Sequence, residues 1–304
     1  MEQGLPNPAV KNPLIDQFLD DLWLESGVAE HTLSAYSTDL NLYSQWLCDR
    51  HQSLDTVTKD DCVGYLAWRL DQGHAASSLA RLVSCWRRFY GWLLLKGRIS
   101  RNPVAQLEQP RTVQKLPMAL SETDVSNLLA APDVSQPLGV RDRAMMEVMY
   151  AAGLRVSELV NLTLDGVRLS AGVVRVLGKG SKERLVPLGE EAIHWLNEYL
   201  TTARAQHCRS DSCEWVFLSQ KGVSMSRQGF WYRIKRYAQQ AGVSSAVSPH
   251  TLRHAFATHL VNHGADLRVV QLLLGHADLS TTQIYTHVAQ VRLQSMHAKH
   301  HPRG

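Results

Sequence analysis

The chain has 304 residues, of which 44% are hydrophobic and 20% are charged, as in an ordinary soluble globular protein with room for two domains. No apolar run reaches the roughly 18 residues of a membrane span, and no basic stretch followed by an apolar one marks a signal peptide, so a cytoplasmic location is expected. The five cysteines are scattered without a CxxC pair, which argues against a disulfide framework and a zinc site.

The charged residues are segregated along the chain, although the net charge is only +4. Residues 1–61 contain 3 Lys/Arg and 11 Asp/Glu, residues 69–101 contain 7 and 1, and residues 111–304 contain 22 and 15. Separate basic surfaces are typical of proteins that bind phosphate groups along nucleic acid. The alternative, basic residues spread over solvated helices, is not excluded by charge alone.

The first hundred residues have the apolar periodicity of helices. Four helices are predicted, over 12–24, 32–47, 59–72 and 77–95, and Thr58 is the expected N-cap of the third. The fourth is basic and aromatic, and Arg81, Arg87 and Arg88 lie off its apolar stripe. It is therefore either a helix that grips DNA or a core helix with solvated arginines.

A change in composition marks the boundary between two domains. Pro103, Pro110 and Pro117 interrupt a stretch with little periodicity. We expect a helical domain over 1–108, a linker over 109–117 and a second domain over 118–304. A proline-punctuated linker is stiff, yet it allows two domains to close around a ligand.

The second domain mixes helices with a β-hairpin. Its predicted helices cover 121–130, 139–151, a segment from 156, 190–205, 226–239, 251–263, 267–274 and 281–288. Two β-branched runs at 173–177 and 184–188 flank a glycine-rich turn, which predicts a hairpin, and 216–218 is a candidate third strand. The fold class is therefore mainly α with a small β-sheet (α+β).

Two of the cationic candidates lie in the first half of this domain. Arg155 stands at the entrance to a helix, where its fork can bind an anion, although an arginine in a helix more often forms a surface ion pair. Glu158, three residues on, could orient Arg155 or could simply be exposed. Lys179 lies at the hairpin turn, where it can contact phosphate or donate a proton to a leaving oxygen. Lys182 competes for that role, and a solvated turn lysine is the plainer interpretation.

His250 and Arg253 share one face in the first turns of the helix that Pro249 opens. His254, four residues after His250, raises a zinc alternative. The sequence offers neither an HExxH pattern nor a nearby acidic third ligand, which argues against it.

The last candidates follow a glycine that ends a helix. Gly275 is the expected C′ residue, His276 follows it directly, and Tyr285 lies one turn into a short predicted helix. A lone tyrosine in such a place is more often packing than catalysis. The whole set lacks the clustered carboxylates that metal-dependent nucleases use to hold Mg²⁺.

The spacing of these residues resembles that of the tyrosine recombinase (phage integrase-like) family. Twenty-two residues separate Arg253 from His276, and eight separate His276 from Tyr285. The phrase Gly-Leu-Arg-x-Ser-Glu around Arg155 and the hairpin Lys179 match as well, and the resemblance spans nearly the whole chain. Four further phrases look like the Xer branch of the family, at 178–188, 252–259, 264–271 and 278–287.

The resemblance implies a catalytic set of six residues. They are Arg155, Lys179, His250, Arg253, His276 and Tyr285. Tyr285 would attack a DNA phosphate, leaving a 3′-phosphotyrosyl bond and a free 5′-hydroxyl. His250 would take the tyrosine proton and Lys179 would supply one to the leaving oxygen, while the two arginines and His276 bind the non-bridging oxygens. No metal, ATP or other cofactor is implied.

The resemblance also implies an architecture and partners. A helical SAM-like core-binding domain and a catalytic domain would form a C-shaped clamp on double-stranded DNA at a dif-like site. Two protomers would join two XerC-like subunits in a tetramer that resolves chromosome dimers at cell division, under control of the FtsK translocase. A phage or mobile-element integrase, a monomeric type IB topoisomerase-like enzyme and a non-catalytic DNA-binding relative are the alternatives.

Overall fold

The computed structural model describes residues 12–26, 28, 30–109, 120–178, 183–208, 213–243, 247–275 and 287–303, with only the backbone for 26 and 287–293. The chain divides into two compact units, Met1–Lys115 and Leu116–Gly304, and each has its own hydrophobic core. Among the helices so described, none is both long and apolar enough to cross a bilayer.

The described part of the first unit contains four helices, within about two residues of their predicted limits. They are α1 (Pro13–Ser26), α2 (Glu30–Cys48), α3 (Lys59–Asp71) and α4 (Ala76–Leu95). Thr58 caps α3 through a capping box with Asp61, which confirms the predicted start of that helix. The core is an aromatic cluster in which the ring of Trp86 lies 4.5 Å from that of Tyr43 and 5.8 Å from that of Tyr65.

The residues just after α4 pack on the first unit. Val104 and Leu107 are buried in its core, and Arg87 on α4 donates a 2.8 Å hydrogen bond to the carbonyl of Leu107. This segment is therefore part of the first unit. Most of the predicted linker, residues 110–117, lies outside the described residues.

Eight helices are described in the second unit: α5 (Glu122–Ala130), α6 (Pro137–Ala152), α7 (Val156–Val160), α8 (Glu190–Glu198), α9 (Arg227–Gln240), α10 (Pro249–Asn262), α11 (Leu267–Leu274) and α12 (His287–His300). Helix α6 is buried along nearly its whole length and contacts α8 and α10. Ser121 caps α5 and Ser248 caps α10, each through a capping box, and Pro249 occupies the first turn of α10.

A three-stranded antiparallel sheet completes this unit, with the order β1 (Val167–Arg168), β2 (Val173–Leu177) and β3 (Glu183–Pro187). The predicted hairpin is β2–β3, and its register pairs Val176 with Arg184. Because side chains alternate along a strand, the buried Val176 and Arg184 share the core face, whereas Arg175 lies on the opposite face. A mainly helical fold with a small sheet is confirmed.

One predicted strand was wrong, and one predicted helix changes its type along its length. Residues 216–218 do not form a strand, because their neighbourhood makes only isolated bridges, Thr163 with Trp215 and Leu218 with Ser224. The third strand is the two-residue β1. The helix predicted over 190–205 is α-helical only to Glu198, and it widens into a π-turn at Tyr199–Ala203 before a final 3₁₀ turn.

Candidate active site

One buried carboxylate in the second unit contacts three arginines. Glu158 accepts a 2.8 Å hydrogen bond from Nη1 of Arg155 and two, of 2.8 and 2.9 Å, from Nη1 and Nη2 of Arg184. Nη1 of Arg253 lies 3.8 Å from Oε2 of the same carboxylate. Arg155, Arg184 and Arg253 around Glu158 are called the arginine cluster below.

Arg155 is the most accessible member of the arginine cluster. Its side chain is 40% exposed, whereas those of Arg184 and Arg253 are 7% and 10% exposed. Arg155 is the N-cap of α7, and its backbone N–H donates a 2.7 Å hydrogen bond to Oε2 of Glu158. The sequence left open whether Glu158 orients this arginine, and the structure shows that it does.

Arg253 reaches the cluster from α10. Its guanidinium donates to the carbonyl of Gly153, two residues before Arg155, and to that of Leu274 at the end of α11 (2.7 Å). Burial, together with the charges of Arg155 and Arg184 and against the opposing charge of Glu158, lowers the pKa of Arg253 to about 10. The group nevertheless stays cationic at neutral pH, which fits a site that receives an anion.

The charge of Glu158 follows from its partners. Burial on its own would raise the pKa of this carboxyl, but the hydrogen bonds and charge of Arg184, together with hydrogen bonds from Arg155, hold it below the ordinary value. The carboxylate is therefore ionised, and three guanidinium groups surround one negative charge. The cluster retains an excess of two positive charges, one of them on the accessible Arg155.

Arg184 was missed as a site residue by the sequence analysis, which treated it only as part of a strand. It lies 26 residues from Glu158 along the chain, and its Nε donates a 3.1 Å hydrogen bond to the carbonyl of Leu273, 89 residues away. A charged residue on the core face of a strand is a signal that could have identified it, because such a residue needs a buried partner.

The remaining predicted residues are only partly placed. His250 is exposed in the first turn of α10, one turn before Arg253. Gly275 ends α11 in the left-handed conformation (φ 69°), as predicted, and His276 follows it in the sequence. Lys179, Lys182, His276 and Tyr285 lie outside the described residues.

The arginines predicted to bind DNA in the first unit have different environments. Arg81 donates two hydrogen bonds, of 2.9 and 3.0 Å, to the buried carboxylate of Asp39. Arg87 holds the carbonyl of Leu107. Arg88 is exposed and makes no hydrogen bond or ion pair to a described residue. Arg81 and Arg87 therefore have structural partners, and Arg88 is the candidate that is free to contact phosphate.

The described ranges contain no group of three His, Cys, Asp or Glu side chains able to hold a metal ion. His250 and His254 lie one turn apart on α10, but no acidic or cysteine ligand joins them there.

Comparisons with known proteins identify the family. Residues 119–292 match the phage integrase family and residues 15–97 match the phage integrase N-terminal SAM-like domain. The chain is 57% identical to tyrosine recombinase XerD of Pseudomonas aeruginosa over 295 residues, which are 97% of this chain and 99% of that protein. It is 56% identical to tyrosine recombinase XerD of Shewanella oneidensis over 296 residues, covering 96% and 98% of the two chains.

A solved structure shows the same fold. XerH site-specific recombinase, bound to its palindromic difH substrate after cleavage, superposes with a TM-score of 0.69 at 21% identity, over 96% of this chain and 90% of that one. Within the Xer branch, the phrases at 178–188, 252–259, 264–271 and 278–287 are more similar to those of XerD than to those of XerC, and the two relatives named XerD confirm this. The chain belongs to the phage integrase family and is a site-specific DNA recombinase of the tyrosine class.

Proposed function

We propose that Arg155 and Arg253 of the arginine cluster form the phosphate clamp of this recombinase, and that Tyr285 is the nucleophile which cuts and rejoins DNA. The observation that carries the proposal is the excess of positive charge around Glu158, with Arg155 exposed and Arg253 beside it. Guanidinium forks match the non-bridging oxygens of a phosphate. Because Glu158 holds the clamp before DNA arrives, little reorganisation is needed as charge develops.

In the proposed reaction the phenolate oxygen of Tyr285 attacks the scissile phosphorus. A tyrosine hydroxyl has an ordinary pKa of about 10, so it needs a base, and the exposed His250 takes its proton. The P–O5′ bond breaks as Lys179 supplies a proton to the leaving oxygen. Arg155, Arg253 and His276 stabilise the charge on the non-bridging oxygens.

The resulting 3′-phosphotyrosyl bond retains the energy of the phosphodiester. A 5′-hydroxyl from a partner strand can therefore attack it and release Tyr285 without ATP. Strand exchange between two duplexes requires four such sites, which implies a tetramer on DNA.

The proposal for the partners is supported by the similarity of the chain, at 57% and 56% identity, to two relatives named XerD. We propose that two copies of this chain act with two copies of a XerC-like recombinase at a dif-like site. The reaction resolves chromosome dimers to monomers at cell division, in the cytoplasm, and the FtsK translocase controls it.

A nicked suicide substrate tests the chemistry. The nick lets the short leaving strand diffuse away, so a cleaved complex is trapped as a covalent adduct on a denaturing gel. The wild-type protein should form the adduct, and Tyr285→Phe should bind the same DNA without forming it. Tyr232→Phe makes the same change at an exposed tyrosine of α9 and should leave the adduct in place. An adduct with Tyr285→Phe would refute the nucleophile.

The partner is tested with two intact dif-like sites on one plasmid. Recombination should require both this chain and a XerC-like protein. Full recombination by this chain alone would contradict the heterotetramer and would favour an integrase of a phage or mobile element.

A further inference from the structure

We propose that Arg184 is a positioning residue for strand cleavage. It holds the phosphate clamp and the end of α11, just before His276, at a fixed distance from each other. The inference rests on the clamp role proposed for Arg155 and Arg253. Arg184 is 7% exposed, so it acts through other residues and not by touching DNA.

The three hydrogen bonds of Arg184 join separate parts of the chain. Nη1 and Nη2 bind the two oxygens of Glu158, the residue that also binds Arg155. Nε binds the carbonyl of Leu273 near the end of α11. A single rigid guanidinium on β3 therefore fixes the distance between the carboxylate of the clamp and the end of α11.

Arg253 makes a parallel connection, which shows that the end of α11 is held from two sides. Arg184 binds the carbonyl of Leu273, and Arg253 binds the next one, that of Leu274. Cationic donors are favourable at this end of a helix, where carbonyls lack intrahelical partners. The segment that leads into His276 is thereby tied to two arginines of the cluster.

Gly275 shows how close this contact is. A Cβ atom at position 275 would lie 3.1 Å from Nη1 of Arg184 and 3.2 Å from its Cζ and Nε. Any larger residue would have to displace the guanidinium or the turn. The backbone of Gly275 is therefore in close contact with Arg184, and movement of one would move the other.

The simpler alternative is that Arg184 only stabilises the fold as a buried ion pair. The two roles predict different cleavage rates on a normal phosphate substrate and on a substrate with a methylphosphonate. A methylphosphonate at the scissile position replaces one charged oxygen with a methyl group, so less negative charge needs to be neutralised. A variant whose clamp is misplaced should be slow on phosphate and much less impaired on methylphosphonate, whereas an unstable variant should be impaired equally on both.

The experiment measures the rate of adduct formation on nicked phosphate and methylphosphonate substrates at saturating DNA. Arg155→Ala should lose roughly 10²–10³-fold on phosphate, the typical cost of one preorganised donor, and most of that loss should vanish on methylphosphonate. Arg184→Gln should lose at least about tenfold on phosphate and recover in the same way, with unchanged DNA affinity. Both rates are proportional to the fraction of the protein that is folded. The ratio of the phosphate rate to the methylphosphonate rate is therefore independent of that fraction, even when part of the preparation is unfolded.

Two further variants complete the test. Arg175→Gln removes an arginine from the opposite face of the sheet, where it pairs with Asp165 and Glu183, and should leave the ratio unchanged. Arg184→Lys keeps the positive charge but lacks the planar guanidinium, so its ratio of the two rates should match that of Arg184→Gln. It also supplies this measurement if the glutamine variant does not fold.

Equal losses on the two substrates for both Arg184 variants, or full activity of Arg184→Lys, would overturn the positioning role. Failure of methylphosphonate to restore Arg155→Ala would instead refute the clamp itself, so the two failures are distinguishable.

Discussion

The backbone of Gly153 lies directly against the ring of Phe256, so that a Cβ atom at position 153 would be 2.3 Å from Cδ1 of that ring. Gly153 also has a positive φ of 55° and ends α6, and its carbonyl accepts a hydrogen bond from Arg253. This contact joins the end of α6 to α10, and Arg155, the N-cap of α7, follows two residues later. The absence of a side chain at 153 thus brings two arginines of the cluster together.

Gly153→Ala should therefore destabilise the second unit. The positive φ costs an alanine about 1 kcal/mol, and overpacking against Phe256 adds about 1–3 kcal/mol. Gly242→Ala is the matched control, because its φ is 67° but nothing lies within 4 Å of the added Cβ. Urea unfolding followed by far-ultraviolet circular dichroism should show the larger loss at Gly153, and equal losses would contradict the close contact.

Arg155→Lys should retain DNA binding and lose most cleavage. A lysine keeps the positive charge but cannot bind Glu158 and a phosphate oxygen with a planar fork. We expect adduct formation to slow roughly 10²–10³-fold. Arg168→Lys, at an exposed position on β1, should cleave normally. Near-normal cleavage by Arg155→Lys would show that the fork is not needed.

Of the arginines on α4, Arg88 should affect DNA binding and Arg81 should affect stability. Arg88→Ala should weaken DNA binding and reduce the slope of log affinity against log salt by about one, because one phosphate contact is lost. Arg81→Ala should instead lower the stability of the first unit by about 1–3 kcal/mol, since it leaves the buried Asp39 without its partner. Fluorescence anisotropy at several salt concentrations and urea unfolding measure the two effects. If Arg81→Ala weakened DNA binding and Arg88→Ala lowered stability, the DNA contact would lie at Arg81 instead.

His301, which is buried directly after α12, should make the free energy of unfolding depend on pH. Burial, with the charge of neighbouring His297, lowers the pKa of His301 to about 2, whereas an unfolded histidine titrates near 6.5. The unfolded chain therefore takes up this proton first, and stability should fall below about pH 6.5 by up to ~1.4 kcal/mol per pH unit. In His301→Phe, urea midpoints between pH 7.5 and 5 should decline less steeply. An unchanged slope would mean that His301 is not held neutral.

Removal of divalent metal should not affect cleavage. The proposed site neutralises phosphate with guanidinium groups and moves protons with His250 and Lys179. Adduct formation in EDTA should match that in Mg²⁺ at equal ionic strength. Loss of the adduct in EDTA and its recovery on adding Mg²⁺ would indicate metal-dependent chemistry instead.

Local signals in the sequence predicted most of the helices well. Thr58 was expected to cap its helix, and it does so through a side chain that binds a backbone N–H three residues on. Such signals depend on neighbours within one turn, so they can be read directly. The strand predicted at Val216–Leu218 was wrong, because strand pairing depends on partners far away in the chain. An apolar, β-branched run indicates burial, and this segment is buried, but it makes only isolated bridges.

The candidate site was predictable in its residue types but not in its support. The spacing of Arg155 and Arg253 indicated a phosphate site, and the structure brings both to Glu158. The contribution of Arg184 depends on contacts across 26 and 89 residues of chain, which no local pattern encodes. The proposed roles of Lys179, His276 and Tyr285 rest on the sequence and the family.

The aromatic cluster of the first unit gives the protein an internal optical probe. Five of the eight tryptophans lie in this unit, and Trp86 is close enough to Tyr43 to receive its excitation energy. Intrinsic fluorescence should therefore report mainly on the first unit, whereas circular dichroism reports on the helices of both. If the fluorescence and dichroism curves separate during denaturation, the two units unfold independently, and the gap between the curves reports the difference in stability between them.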